Sequence, residues 1–425
     1  MKITDTQLEI QREPFARPFA FKGAAFHEKW NLIVRLRDEQ GNEAVGIGGL
    51  AVLWSDPDVF AAQTEVGGNI LQASILEFAL GLIRGNTYED PPTMLGDILP
   101  KAFAFGRGVT QNESLKRTFV LIALVALDNA AWLLFAKRNG IDTFDGIIPP
   151  WAEDQLLHRQ EAVATVPAVG YTLPMDELES ILDAGAYVLK IKTGQPGDQS
   201  EMVEKDKDWL SRIHDIAKSH TTSMTDTGHV LYYLDANGRY TNRNGMRDLL
   251  DHADTIGALE RVILVEEPFD DPEGIDISGL PARFAADESV HTIEDVRRRA
   301  EQGYGALAIK PAGKTLSLAF EMVRAGNELG MECFVADNGC VPILVEWNKN
   351  IAARLPAFPG LVGGLMESNG PENYGTWDRM LSEYPIPDGS WLRPVDGAFR
   401  LDETYYAASG GIFELPQSYT SLLRD

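Results

Sequence analysis

Between Pro149-Pro150 and about Pro385 one pattern repeats: a short apolar run closed by turn residues, then an amphipathic stretch, at intervals of roughly 20 to 45 residues. The runs are 162–170, 187–194, 231–238, 262–269, 283–290, 306–312, 331–338 and 361–368. Each suits a buried strand better than a helix, and strands that alternate with helical stretches join in parallel through crossovers. Eight such units close into a barrel more readily than they extend an open sheet. The expected fold class is therefore α/β, with a (β/α)8 TIM-type barrel over residues 149–384.

The flanks read differently. The first 60 or so residues alternate as strands, as in Trp30-Asn31-Leu32-Ile33-Val34-Arg35, with a turn at Asp38-Glu39-Gln40-Gly41-Asn42 that predicts a hairpin. From 66 to 139 the period becomes helical, so residues 1–148 are expected to form an α+β domain. The apolar stretch 119–135 is long enough to suggest a membrane span, but Asp128 and Asn129 sit at its centre and Lys137-Arg138 close it. It reads as a buried helix with Gly140 as its left-handed cap. The tail, 385–425, lacks the barrel rhythm and is expected to fold back onto the first domain.

Composition excludes several function classes. The 425 residues carry 38 basic and 63 acidic side chains, a net charge of −25, which repels phosphate backbones and acidic membranes. Two cysteines, Cys333 and Cys340, make no disulfide framework, and the start Met1-Lys2-Ile3-Thr4-Asp5 lacks the basic and apolar blocks of a secretory signal. A cytoplasmic location is expected. The expected partners are a small-molecule carboxylate and further copies of the chain, a homo-oligomer, with neither nucleic acid nor a membrane.

In a barrel, functional side chains sit at the C-terminal ends of the strands. Here those ends are charged: Lys190-Ile191-Lys192, Asp235-Ala236-Asn237, Glu266-Glu267-Pro268, Asp287-Glu288-Ser289 and Ile309-Lys310-Pro311. Period-two alternation points Lys190 and Lys192 the same way. Three carboxylates without cysteine or histidine suit a hard cation, Mg2+ in the first place with Mn2+ as the alternative. A cation beside a substrate carboxylate offsets the second negative charge that builds when the neighbouring carbon loses its proton. Lysine takes that proton only when neutral, and two close lysines beside a cation are expected to have lowered pKa values.

These strand-end motifs resemble the enolase superfamily, in particular its muconate lactonizing enzyme branch. The likeness spans most of the chain and includes Ala126-Leu127-Asp128 in the helix before the barrel. It implies a capping domain built from the N-terminal region and the C-terminal tail, whose loops close over the barrel mouth and select the substrate. Carried over position by position, it implies Asp235, Glu266 and Asp287 as metal ligands, Lys192 and Lys310 as opposed acid/base groups, and Lys190 as a partner of the substrate carboxylate. Glu267 and Glu288 would point away. The mandelate racemase branch has Asp and His on the sixth and seventh strands, where this chain has Lys310 and Ala336-Asp337-Asn338. The interval from Lys192 to Asp235 is long for the family, which places an insertion near 221–229. The implied reaction is racemisation or epimerisation, with dehydration and cycloisomerisation on the same site as the alternatives.

Further substrate contacts are expected from Glu367 and from Asn237, which either supports the site or turns the chain before Gly238. Of the seven histidines none has metal-ligand spacing; His27, in the early segment 21–30, is the candidate for a substrate contact. Trp54 reads as core packing. The ordinary alternatives are N-caps for the three acids and solvated strand ends for the lysines. Two rival chemistries stand beside these: a lysine Schiff base, and a phosphate loop in Ala308-Ile309-Lys310-Pro311-Ala312-Gly313-Lys314-Thr315, which has Ala where the tight turn wants Gly.

Overall fold

The computed structural model describes residues 1–21 and 24–423. An antiparallel sheet opens the chain, with β1 (Ile3–Phe21) paired to β2 (Ala24–Asp38) and β2 to β3 (Glu43–Gly49). Four helices follow: α1 (Val52–Ser55), α2 (Pro57–Ile83), α3 (Pro91–Thr110) and α4 (Arg117–Asn139). Helicity begins ahead of residue 66 because Asp56 caps α2, its carboxylate accepting from the Asp58 and Val59 amides, and Pro57 takes the first helical position.

Helix α4 is apolar all round and buried over 94% of its most apolar window, so it is a core helix. Helix α2 is also long and apolar enough to cross a membrane, and half of its window is buried. The polar residues of α4 are all answered. The Asp128 carboxylate accepts from the Ser317 amide and hydroxyl, and the Asn129 amide donates to the Ile47 carbonyl at 2.9 Å. The sheet lies directly on this helix. A Cβ at Gly46 would sit 2.2 Å from the Ala130 nitrogen, so only glycine permits the approach. Gly140 closes α4 at φ 65°, the left-handed cap expected from its place in the sequence.

The barrel strands are β4 (Ala162–Val166), β5 (Ala168–Val169), β6 (Val188–Lys192), β7 (Leu231–Asp235), β8 (Val262–Glu266), β9 (Phe284–Ala286), β10 (Ala306–Ile309), β11 (Glu332–Val335) and β12 (Gly364–Glu367). β4 and β5 are one strand interrupted at Pro167, whose ring has no amide hydrogen, and its carbonyl still accepts from Lys190. β5 pairs with β6 and β4 with β12, both in parallel, so eight strands close the ring. The main crossovers are α5 (Phe144–Ile147) ahead of the ring and α6 (Met175–Asp183), α7 (Gln199–Ala217), α8 (Arg243–Thr255), α9 (Ile293–Glu301), α10 (Pro311–Lys314), α11 (Leu316–Glu328) and α12 (Pro342–Ala352) within it.

Alternation fills the ring. Val188, Leu231, Tyr233, Leu264, Ala285, Ala306, Ala308 and Leu365 form one buried apolar cluster. Two residues further along the same strands stand Lys190, Asp235, Glu266, Asp287, Lys310 and Glu367, with Lys192 two beyond Lys190. The insertion at 221–229 joins α7 to β7 and so lies at the opposite end: Thr221 bridges His229, Thr225 bridges Leu361, and Met224 packs beneath the interior cluster.

The tail does more than fold onto the first domain. Its strand β13 (Ala398–Arg400) pairs antiparallel with β4, adding to the barrel. Farther on, Tyr419 and Leu422 lie beside Gln11 and Glu13 of β1.

Candidate active site

The parallel register sets Lys192 beside Asp235 and Asp235 beside Glu266 across β6, β7 and β8. Lys190 and Lys310 are only 2% exposed, and so is Asp287; Asp235 and Glu266 are wholly buried. Burial without partners would be costly for any of them. The Lys190 ammonium contacts Glu266 at 2.7 Å, Glu367 at 2.8 Å, Asp235 at 3.0 Å and the Tyr233 hydroxyl at 3.1 Å. Lys192 donates to Asp235 Oδ2 at 2.5 Å and to Asn237 Oδ1 at 3.0 Å. Lys310 donates to Asp287 Oδ2 at 2.5 Å and faces the Trp54 ring, 4.3 Å from its centroid.

The expected lowering of the lysine pKa values is not what the arrangement gives for two of them. Burial disfavours the Lys190 ammonium, but Asp235, Glu266 and Glu367 outweigh it and hold its pKa well above the ordinary value. Lys310 is likewise raised, its burial overcome by Asp287 and Glu266. Carboxylate oxygens stand 2.7 and 2.8 Å from the Lys190 ammonium and 2.5 Å from that of Lys310, and Coulomb energy is greatest at such short range. Glu266 shifts upward, from burial and then from the crowding Asp235.

Glu266, Asp287 and Glu288 bring one carboxylate oxygen each to within 4.8 Å of one another. Glu266 Oε1 is buried and accepts no hydrogen bond among the described residues, while Tyr233 donates to its other oxygen. A buried carboxylate oxygen left open beside two more acids fits a hard cation. Glu288 therefore does not point away. Its strand ends at Ala286, so alternation no longer governs it, and the Asn237 amide draws its carboxylate in at 3.1 Å. Glu267 does turn aside, accepting from the Asp287 amide and the Ser289 hydroxyl.

Glu367, wholly within the mouth, accepts from Lys190 and from the Asn369 amide group at 2.7 Å. His27 lies apart. Its ring is 66% exposed and paired to Glu65 at 3.0 Å, because it follows Phe26 on β2 and alternation sends it to the opposite side. The pocket wall is instead Phe19, Phe26, Ala51 and Trp54, so Trp54 serves the site as well as the core. Tyr233 backs the site from the barrel interior, its hydroxyl accepting from Lys190 and donating to Glu266; its place two residues before Asp235 could have revealed it. Asp337 and Asn369 also line the pocket, and a second cleft past Tyr171 and Leu173 shares Phe19, Lys192 and Asn369 with it.

No protein-family model matches the sequence, and no curated protein matches it. The structure does have counterparts. A mandelate racemase/muconate lactonizing protein from Herpetosiphon aurantiacus superposes with TM-score 0.64 at 18% identity, over 94% of this chain and 96% of its own. The fold is that of the enolase superfamily. A dipeptide epimerase from Enterococcus faecalis V583, solved with Mg and L-Leu-L-Tyr, has TM-score 0.60 at 17% identity over 86% of this chain and 90% of that one. The 2-chloromuconate cycloisomerase of Rhodococcus opacus 1CP has TM-score 0.59 at 20% identity, over 86% and 87%. In this chain Phe19 of β1, Phe26 of β2, Ala51 and, from α1, Trp54 reach the pocket at the barrel mouth.

Proposed function

We propose that this chain is a divalent-cation-dependent enzyme that removes the proton next to a substrate carboxylate and returns one from the other side, a racemase or epimerase. The observation that carries the reading is the placement of Lys192 and Lys310. They stand at the ends of the second and sixth of eight ring strands, diametrically opposed, and line one pocket. A carbon held between them has a lysine on each face, the arrangement that inversion requires.

Asp235, Glu266 and Asp287 are the proposed ligands, with Glu288 at their edge. Bound there, Mg2+ supplies electrostatic stabilisation for the charge that builds on the substrate carboxylate. Lys190, fixed by Tyr233 and Glu367, orients the carboxylate from below. Asn237 ties Lys192 to Glu288, so the acid/base group keeps its place beside the acids. Phe19, Phe26 and Trp54 exclude water and favour an apolar group on the reacting carbon. The dipeptide epimerase of similar fold makes dipeptides with apolar side chains the first substrates to try.

The test is loss of the α-proton NMR signal in deuterium oxide, run on dipeptides, N-acyl amino acids and hydroxy acids with Mg2+. Exchange that stops with a chelator and inverts the centre is the expected result. Exchange indifferent to the chelator, or trapping of substrate on a lysine by borohydride, would overturn it.

A further inference from the structure

Helix α7 follows the strand that ends in Lys192, and on it stands an acid with no part in the chemistry so far. Asp206 is wholly buried. Its carboxylate accepts from the Gly194 amide at 2.7 Å, from the Gln195 amide at 3.2 Å and from the Tyr240 hydroxyl at 2.7 Å. All three partners are donors, so a group that only accepts is what the position calls for. Burial pushes its pKa up, and these hydrogen bonds oppose the rise.

Two loops meet at this carboxylate. Gly194 and Gln195 follow Lys192 by two and three residues, and Tyr240 belongs to the loop that begins after Asp235 and holds Asn237. The loops are also bonded to each other, the Thr193 amide donating to the Asp235 carbonyl at 2.8 Å and the Arg239 guanidinium to the Gly194 carbonyl at 3.2 Å. Gly194 has φ 82°, and a Cβ there would overlap the Arg239 side chain. Gln199, also on α7, donates to the Arg239 carbonyl and accepts from the Thr241 amide. Lys192 spans the same pair of loops, since its ammonium donates to Asp235 and to Asn237. Lys310 enters from the sixth strand and meets Asp287 and Trp54, which neither loop carries.

We infer that Asp206 is a positioning residue for Lys192: it locks the loops after β6 and β7 together, fixes where the Lys192 ammonium stands over the substrate, and does nothing for Lys310. This rests on the opposed-lysine reading above and deepens it, because the two lysines then depend on different parts of the fold. A reacting group displaced by about 1 Å can lose roughly 10²-fold in rate.

Trace labelling tests the lock without a substrate. The whole chain is treated with a limiting amount of acetic anhydride, and each lysine is read by peptide mass spectrometry. Asp206→Asn turns an amide hydrogen toward a donor and is expected to raise labelling of Lys192 by about tenfold, the effect of losing one or two buried hydrogen bonds, with Lys190 and Lys310 unchanged. Tyr240→Phe removes one donor and opens no space; it is expected to raise Lys192 labelling by about threefold, so the outcome does not hang on one variant folding. Native labelling of Lys192 in both variants overturns the inference, and so does a rise of all three lysines together, the mark of general loosening. The direction of catalysis supplies the second readout, as α-proton exchange in deuterium oxide with Mg2+ on L-Leu-L-Tyr and L-Leu-D-Tyr. Asp206→Asn is expected to lower kcat by about 10²-fold, with KM kept, for the isomer that Lys192→Ala silences, and to spare the other. Equal losses for both isomers overturn the inference. If the unmodified protein exchanges neither isomer, or Lys192→Ala silences both, it is the opposed-lysine reading that fails, and the labelling alone decides whether Asp206 holds Lys192.

Discussion

At the scale of the residue, the mouth of the barrel is a question of which charge sits nearest which. Lys190 has three carboxylates and a phenol around one ammonium, so it serves as a fixed positive point; Lys192 and Lys310 each lean on one acid from opposite sides. If they work on opposite faces, replacing each should silence one direction only. Lys192→Ala is expected to abolish α-proton exchange from one enantiomer and Lys310→Ala from the other, each by a factor of about 10² to 10⁴. Loss of exchange from both enantiomers in one variant, with exchange from both retained in the other, would instead point to a single base. Removal of Asp235 separates two possible ligand sets. Asp235→Asn is expected to weaken Mg2+ binding by at least tenfold, roughly the effect of losing a charged ligand, while Glu288→Gln has the smaller effect. The reverse order would place the cation among Glu266, Asp287 and Glu288, the trio already closest together.

At the scale of the element, α4 matters most, because it joins the first domain to the segment that delivers Lys310 and Lys314. Burial raises the Asp128 carboxyl to about 6 against the hydrogen bonds from Ser317 that lower it. An acid whose pKa is higher folded than unfolded lends stability that is full below its unfolded value and lost as pH rises through its folded one. Asp128 should therefore cost the fold on the order of 3 kcal/mol between about pH 4 and pH 6 to 7. Urea unfolding across that range is expected to show a shallower decline in Asp128→Asn than in the unmodified chain; identical slopes would mean that the carboxyl titrates normally. The elements also show where a sequence pattern stops carrying information. Alternation along β6 to β10 and β12 foretold which residues face the mouth, and Phe26 against His27 obeys the same rule on β2. Glu288 escaped it because β9 is three residues long and ends before the acid. Lys314 escaped because it lies in a helical turn, where facing depends on a break at Thr315 that no period encodes.

At the scale of the whole molecule, the tail adds a strand to the barrel as well as touching the sheet. β13 pairs with β4, the Trp391 carbonyl accepts from the buried Lys349, and Tyr406 donates to the Gln160 carbonyl. A chain ending at residue 384 would expose Trp391's partners and leave the Lys349–Glu346 pair open on one side. Such a truncation is expected to lose cooperative melting or to aggregate, and a sharp transition near that of the full chain would show the tail to be dispensable.

The sequence by itself determined the eight-unit barrel, the buried α4 with its cap, and seven charged residues that face one mouth, because these follow from local periodicity and the geometry of a strand. Tertiary structure decided what those residues touch. It placed Glu288 among the acids, turned His27 outward behind Phe26, raised the pKa values of Lys190 and Lys310, and set Lys314 behind Asp287. Each of these depends on distances between segments far apart in the chain, and electrostatic energy and packing are set by such distances and not by position along the sequence.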